Sequence, residues 1–443
     1  MKKSNPSFRR LALLLCAGAG LLASCVWAAG PALETKPADP YFAAYAPLKA
    51  PAPGPLLLQP GDRLAICGDS ITEQKIYSRL METYLTVCVP ELKVTVRQYG
   101  WSGETAEGFL RRMTNDCLRF QPTVATTCYG MNDYRYRPYD EATGQWYREN
   151  YTAVARAFKA AGTRLVLGSA GSVGKVASWV KSANGTLEDH NVSLCKMRNI
   201  ALETAAAEGV RFADVYWPML TGGFEARAKY GADFALNGKD GVHPGGAGHL
   251  VMAYANLKAM GLDGDLGTIT VDLKSGQATA TGGHEVAGCQ DGEVRLVSRR
   301  YPFCAAGPTN RDDSVRAGMT VVPFNRELNR LCLVVKGGAA ANYRVTWGAE
   351  SRVYPAAQLA AGVNLAEDFE KNPFSEAFAK VDSAVAAKQA NETQQIKKIF
   401  HGPEGKADMD AAVRKTEAER APFVKAIQDA FVPVTHTLKI VAQ

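Results

Sequence analysis

The sequence predicts an α/β fold, with a parallel sheet covered on both faces and a β-rich part following it. Three observations predict it. Between residues 60 and 262, short apolar runs alternate with helical patterns. Several of those runs are continuously apolar, as strands buried on both faces must be. Beyond about 265, period-two alternation broken by turn residues takes over.

The chain has 443 residues, of which 47% are hydrophobic and 21% charged. That length suits two domains with real cores. Residues 1–25 read as a targeting segment, with the basic "MKKSNPSFRR" followed by the apolar "LALLLCAGAGLLA". Two processing endings compete there. "LASC" resembles a lipoprotein box, with Cys25 as the lipid anchor, whereas "VWA" before Ala29 resembles an ordinary cleavage site. Either ending implies an exported protein: periplasmic, secreted or surface-anchored. The formal charge is +7, and removing Lys2, Lys3, Arg9 and Arg10 with the leader lowers it to +3. That balance does not point to nucleic acid or a membrane surface. No later run reaches the 18 or so apolar residues of a membrane span.

Residues 26–58 are rich in Pro and Ala and read as a linker. Residues 59–265 form the expected α/β domain. Its strands are predicted at Arg63–Cys67, Lys93–Tyr99, Thr123–Tyr129, Arg164–Gly168 and Arg211–Tyr216. Helices are predicted at about 72–88, 104–120, 146–161, 189–208 and 246–260. Residues 266–443 are predicted to form a β domain with a helical excursion at about 355–430, whose final strand, "VTHTLKIVAQ", rejoins the sheet. Of the ten cysteines, none forms a CxxC pair and none has zinc spacing. No disulfide pairing is assigned, and Cys67 and Cys128 read as small buried thiols within strands.

Four short motifs carry the chemistry. "LAICGDSITEQ" places Ser70 where an apolar strand ends and a helix begins. A serine there serves as a helix cap, or as a nucleophile if a base and an anion pocket lie elsewhere. "RQYGWSGETAEGF" places Gly100 and Gly103 in a strand-to-helix loop, where a glycine can leave its N–H free toward an anion. "TTCYGMNDYRY" ends the third strand with Asn132, whose amide can donate to an oxyanion or cap a turn. "NGKDGVHPGGAGH" holds Asp240 and His243 three residues apart on one tight loop. That histidine can take and return a proton, and the carboxylate can fix its tautomer. His249, inside the helix that follows, and Asp69, beside the serine, read as structural.

In order and spacing, "GDSIT", "WSGET", "GMND" and "DGVHP" resemble the SGNH (GDSL-type) hydrolase family across roughly residues 60–262. The resemblance implies a three-layer, flavodoxin-like domain with a five-stranded parallel sheet. It implies Ser70 as nucleophile, His243 as base and then acid, and Asp240 as its orienting carboxylate. It implies an oxyanion hole from the N–H groups of Ser70 and Gly103 and the side chain of Asn132, with no metal and no cofactor. The expected reaction is hydrolysis of a short acyl ester, acetyl above all, on a carbohydrate. Trp101, Tyr129, Tyr134, Tyr136 and Tyr139, with Arg135 and Arg137, suit sugar rings or simply pack the loops. Lipase, thioesterase and acyltransferase activities use the same site, and a glycan-binding surface protein is the rival from another class. For the C-terminal part, structural support, an active-site lid and glycan binding all remain open.

Overall fold

The computed structural model describes residues 32–443, so the leader, both processing endings and Cys25 lie outside the described residues. Five strands form the first sheet: β1 (Arg63–Gly68), β2 (Thr95–Gly100), β3 (Val124–Cys128), β4 (Arg164–Gly168) and β5 (Arg211–Ala213). All pair in parallel, in the order β2-β1-β3-β4-β5. This is the flavodoxin-like order, with its switch point between β1 and β3. β1 and β3 are buried almost throughout, which explains their unbroken apolar runs.

Seven helices accompany this sheet: α1 (Ser70–Glu73), α2 (Tyr77–Val87), α3 (Ala106–Asp116), α4 (Glu141–Ala160), α5 (Leu187–Glu208), α6 (Tyr216–Tyr230) and α7 (Gly246–Ala259). The chain runs outward to β2 and then reverses across β1 to β3. Right-handed crossovers therefore place α2 on one face and α3, α4 and α5 on the other. α3 packs on α4 and α4 on α5, while α7 packs on α2.

Three local departures from the expected pattern have physical causes. The helix expected at 72–88 breaks after α1, because Lys75 adopts a left-handed backbone with φ of 58°. The strand expected at Arg211–Tyr216 stops at Ala213, and Tyr216 opens the unexpected α6. Pro218 and the Gly222–Gly223 pair mask that helix in the sequence. Gly222 is needed for packing, since a Cβ there would lie 2.4 Å from Val321 Cγ1.

The C-terminal part contains two further sheets. One, in the order β13-β10-β6-β7, comprises β6 (Asp265–Asp272), β7 (Gln277–Ala280), β10 (Arg330–Lys336) and β13 (Val363–Asn364). The other, in the order β12-β11-β14-β9-β8, comprises β8 (His284–Gln290), β9 (Glu293–Ser298), β11 (Asn342–Trp347), β12 (Glu350–Pro355) and β14 (Val434–Ala442). The final strand does rejoin a sheet, at its centre. One pair in these two sheets runs parallel, β6 with β10, and the chain between them contains β7 to β9. A buried polar chain ties the two sheets together. Trp347 Nε1 can only donate, and it lies 3.0 Å from His436 Nδ1. His436 Nε2–H therefore donates to Ser298 Oγ at 2.8 Å, Ser298 donates to His284 Nδ1 at 2.7 Å, and His284 Nε2–H donates to Leu266 O at 2.9 Å. Burial lowers His436 to about 3, so it stays neutral in this chain.

The predicted helical excursion contains α8 to α14 only in part. α8 (Val315–Val321) and α9 (Phe324–Leu328) precede β10, and α10 (Ala356–Ala361) and α11 (Leu365–Asp368) flank β13. α12 (Ser375–Gln394), a π-helical turn (Gln395–Phe400), α13 (Pro403–Ala407) and α14 (Met409–Ala430) complete it. α12 packs along α2 and β2, the outer strand of the first sheet. There side chains of α12 and α14 take the place of a neighbouring strand. Lys388 Nζ and Arg420 Nη2 donate to Val96 O, and the Gln98 N–H donates to Glu392. Without them, a parallel edge would present unpaired backbone groups.

Candidate active site

The four motifs converge at the carboxyl ends of β1, β2 and β3, beside the switch point. Gly68 ends β1 because a Cβ there would lie 2.1 Å from Thr72 Oγ1. Asp69 caps α1, accepting the Ile71 N–H at 2.9 Å. The next residue, Ser70, begins the helix with its hydroxyl partly exposed. Gly100 at the end of β2 faces the same helix, where a Cβ would meet Glu73 N at 2.1 Å. Both glycines let α1 settle directly on the strand ends.

Ser70 Oγ lies 2.9 Å from His243 Nε2, and His243 Nδ1 lies 2.7 Å from Asp240 Oδ2. Asp240 Oδ1 also accepts the N–H groups of Val242 and His243, each at 2.9 Å. Burial opposes ionisation of Asp240, but these donors and the imidazole outweigh it and hold the carboxyl below its ordinary value. A carboxylate on Nδ1 fixes the proton there and leaves Nε2 as the acceptor facing the serine. The Asp240–His243 loop is set by Gly241, where φ is +84° and a Cβ would lie 2.4 Å from Lys175 N.

The N–H groups of Ser70 and Gly103 have no hydrogen-bond acceptor among the described residues. Gly103 is exposed, with φ of +75° and open space around the position of a Cβ. Asn132 Nδ2 donates to Glu104 O at 3.0 Å, and its Oδ1 accepts from Tyr136 Oη at 3.1 Å. Because a carbonyl only accepts, this fixes the amide's orientation and leaves one N–H for the cleft. The following carboxylate, Asp133, is buried and binds the N–H groups of Gly130 and Ala106 at 2.8 and 2.9 Å, pinning the loop after β3 to the start of α3. Burial pushes both Asp69 and Asp133 up to about 7.

Glu104 is also buried. It forms a two-point ion pair with Arg112, with both contacts at 2.6 Å, and accepts from Tyr129 Oη at 2.8 Å. His249 lies outside the relay. It is buried between Tyr77 N and Gln74 Oε1, and burial lowers it to about 3.

The aromatic residues divide. Tyr129, Tyr134 and Tyr136 are buried and pack the loops, with Tyr136 holding Asn132. Tyr139 packs beneath Lys196. Trp101 remains at the rim. Sequence reasoning missed Trp179, which is 46% exposed and whose ring lies 5.8 Å from that of His243. Its signal was available: "VGKVASWVKSANG" follows β4, and loops at strand carboxyl ends line such sites. Cys67 and Cys128 are buried free thiols. Burial pushes both thiols up, away from reactivity.

Among solved structures, one described as a gut microbial diltiazem-metabolizing enzyme aligns with a TM-score of 0.68 at 22% identity, over 88% of this chain and 100% of its own. That alignment extends the shared fold into the C-terminal part. A GDSL-like lipase of Parabacteroides merdae aligns at 21% identity over 47% of this chain and 99% of its own, with a TM-score of 0.39. An acetylxylan esterase of Geobacillus stearothermophilus aligns at 19% identity over 46% and 97%, with a TM-score of 0.37. No curated protein matches the chain. The GDSL-like lipase/acylhydrolase family description matches residues 66–251, a span that contains all four motifs. Through those residues the chain carries a GDSL-like lipase/acylhydrolase domain, that of a serine ester hydrolase.

Proposed function

We propose that the protein removes short acyl groups, acetyl above all, from an acylated carbohydrate outside the cytoplasm. The observation that carries the chemistry is the relay from Ser70 Oγ through His243 to Asp240, with spacings of 2.9 and 2.7 Å. Ser70 attacks the ester carbonyl as His243 Nε2 takes its proton. The tetrahedral oxyanion is received by the N–H groups of Ser70 and Gly103 and the spare amide hydrogen of Asn132. His243 then returns the proton to the departing alcohol, leaving an acyl-enzyme on Ser70. Water, deprotonated by the same imidazole, then attacks the acyl carbon; the bond to Ser70 Oγ breaks, the imidazolium returns the proton to that oxygen, and the acid is released. Asp240 stabilises the imidazolium formed at each step.

Two features support a carbohydrate. Trp179 offers an exposed aromatic ring beside His243, which suits the apolar face of a sugar ring. The basic and apolar leader suits a polymer met after export, with anchoring at Cys25 as one route to the surface. The test is acid release from acetylated xylan, acetylated pectin, diltiazem and a short-chain aryl ester, with wild type and Ser70→Ala compared. Acetate from a polysaccharide, lost in Ser70→Ala, is the expected result. Aryl-ester cleavage without polysaccharide release would retain the hydrolase and overturn the carbohydrate reading. The same outcome with a sugar acceptor added, giving transferred rather than free acyl, would identify an acyltransferase.

A further inference from the structure

The excursion also reaches the rim of the active site. A π-helical turn is uncommon and tends to persist where it serves a site. Here it lies between α12 and α13 and brings Lys397 and His401 to the loop Trp101–Ser102–Gly103. Lys397 Nζ lies 2.7 and 2.9 Å from the two oxygens of Glu73. Glu73 Oε2 accepts both the N–H and the hydroxyl of Ser102, each at 2.6 Å. Glu73 is the last residue of α1, whose first residue is Ser70. One carboxylate thus joins the helix that carries the nucleophile to the residue before Gly103. His401 adds a second hold, meeting the Trp101 ring edge-on at 4.9 Å and bonding Asp116 at 2.7 Å. Gly103 itself is exposed with open space around it; on its far side Glu104 is held by Trp101 O, Asn132 and Arg112, so the Glu73–Ser102 contact is the matching hold on its near side.

We propose that Lys397 is a positioning residue for the hydrolytic site: it fixes Glu73 against Ser102, and so sets the spacing of the Ser70 and Gly103 N–H donors. This rests on the oxyanion reading above. Burial opposes the charge on Glu73, but hydrogen bonds from Lys397 and Ser102 outweigh it and hold the carboxyl below its ordinary value. Without the ammonium group, the carboxylate can turn toward water and the Ser102–Gly103 peptide loses its anchor. The cost falls on the transition state, because the oxyanion exists only there.

The test measures kcat and KM on an aryl acetate for the full chain. The variants are Lys397→Met, Lys397→Arg, Glu73→Gln, the Lys397→Met/Glu73→Gln double and, as a surface control, Lys398→Ala. Melting temperature and fluorophosphonate titration normalise for folded sites. Lys397→Met is expected to lower kcat about tenfold with KM within about twofold, a partial loss of a donor worth about a hundredfold or more. Lys397→Arg should restore most of that loss, and the double variant should be no worse than Glu73→Gln. The inference is overturned if Lys397→Met keeps kcat within twofold, if only KM moves, or if Lys397→Arg is as impaired as Lys397→Met. Ser70→Ala run alongside separates the two readings. Turnover retained there removes the serine mechanism and this inference together, whereas Ser70-dependent turnover insensitive to Lys397 removes this inference alone.

Discussion

Replacing Asn132 with alanine tests the oxyanion assignment most directly. One amide hydrogen of Asn132 is committed to Glu104 O, and its carbonyl is held by Tyr136, so a single N–H faces the cleft. Losing one such donor costs about 3 kcal/mol in the transition state, or roughly 150-fold in kcat. KM should change little, since the ground-state carbonyl is a weaker acceptor than the oxyanion. The substitution also leaves Glu104 O and Tyr136 Oη without their partner, which costs about 1–3 kcal/mol of stability. The two effects separate by experiment. Steady-state kinetics on an aryl acetate reports the first, and urea unfolding reports the second. Tyr136→Phe provides the comparison, because it frees the amide to rotate without removing it, and should cost less in kcat than Asn132→Ala. A variant Asn132→Ala with kcat within threefold of wild type would refute the assignment. So would a loss that matched the fraction of unfolded protein.

Other consequences are equally open to measurement. Asp240→Asn removes the carboxylate that fixes the His243 proton on Nδ1 and should lower kcat by about 10³–10⁴, with Ser70 labelling by fluorophosphonate slowed in parallel. Asp69 and Asp133 titrate near 7 in the fold, chiefly through burial, against about 3.9 when unfolded. The folded chain therefore binds more protons between those values, and each group makes stability fall as pH rises from about 4 to 7, by up to about 1.4 kcal/mol per pH unit. Urea midpoints that rose across that window, or that kept their slope in Asp133→Asn, would contradict this. Gly100→Ala should be far more damaging than Gly103→Ala. The first drives a Cβ into the α1 backbone, whereas the second meets open space and pays only about 1–2 kcal/mol for its left-handed backbone. Melting curves of both variants decide the order.

The first sheet was legible because its strands are buried on both faces. After the exposed Arg63, the run "LAICG" then has no polar position to confuse its reading. The convergence of Ser70, Asn132 and the Asp240–His243 pair on one cleft was legible because each sits in a short motif at a strand or loop end. What stayed hidden depends on contacts distant in sequence. The parallel pairing of β6 and β10 joins residues more than sixty apart, and alternation alone does not give direction. Trp179 lies in a loop after β4 that carries no motif; the loop's place at a strand end marks it as lining the site, but the contact with His243 follows only from the return of the chain after α6. Tyr129, Tyr134 and Tyr136 read as ring-binding candidates but are buried, since aromatic residues in a loop pack against it as readily as they face solvent. The π-helical turn leaves no periodic trace over six residues.

The way the excursion covers β2 leads to one more prediction. Lys388 is 2% exposed and lies between Glu82 and Glu392, at 2.8 and 2.9 Å, while it also donates to Val96 O. Its neighbours respond differently. Burial raises Glu82 despite Lys388, whereas for Glu392 the nearby Lys388, Arg420 and Arg97 charges overcome burial and lower it. Lys388→Met removes the cation the carboxylates share and leaves a strand carbonyl short of a donor. Breaking a buried ion pair from one side costs about 3–5 kcal/mol, which is a large part of a domain's stability. The sign of the pH dependence identifies the cause. Without Lys388 both carboxyls titrate higher in the fold, so the folded variant takes up protons as pH falls. Its deficit relative to wild type should therefore shrink between pH 7.5 and 5. Urea unfolding of both proteins at the two pH values measures this. If the deficit were the same at both pH values, the loss would come from packing or from the Val96 carbonyl being left with Arg420 as its one donor, and the argument from charge would fail. If there were no deficit at all, the lysine would not be what holds the C-terminal helices on the sheet edge.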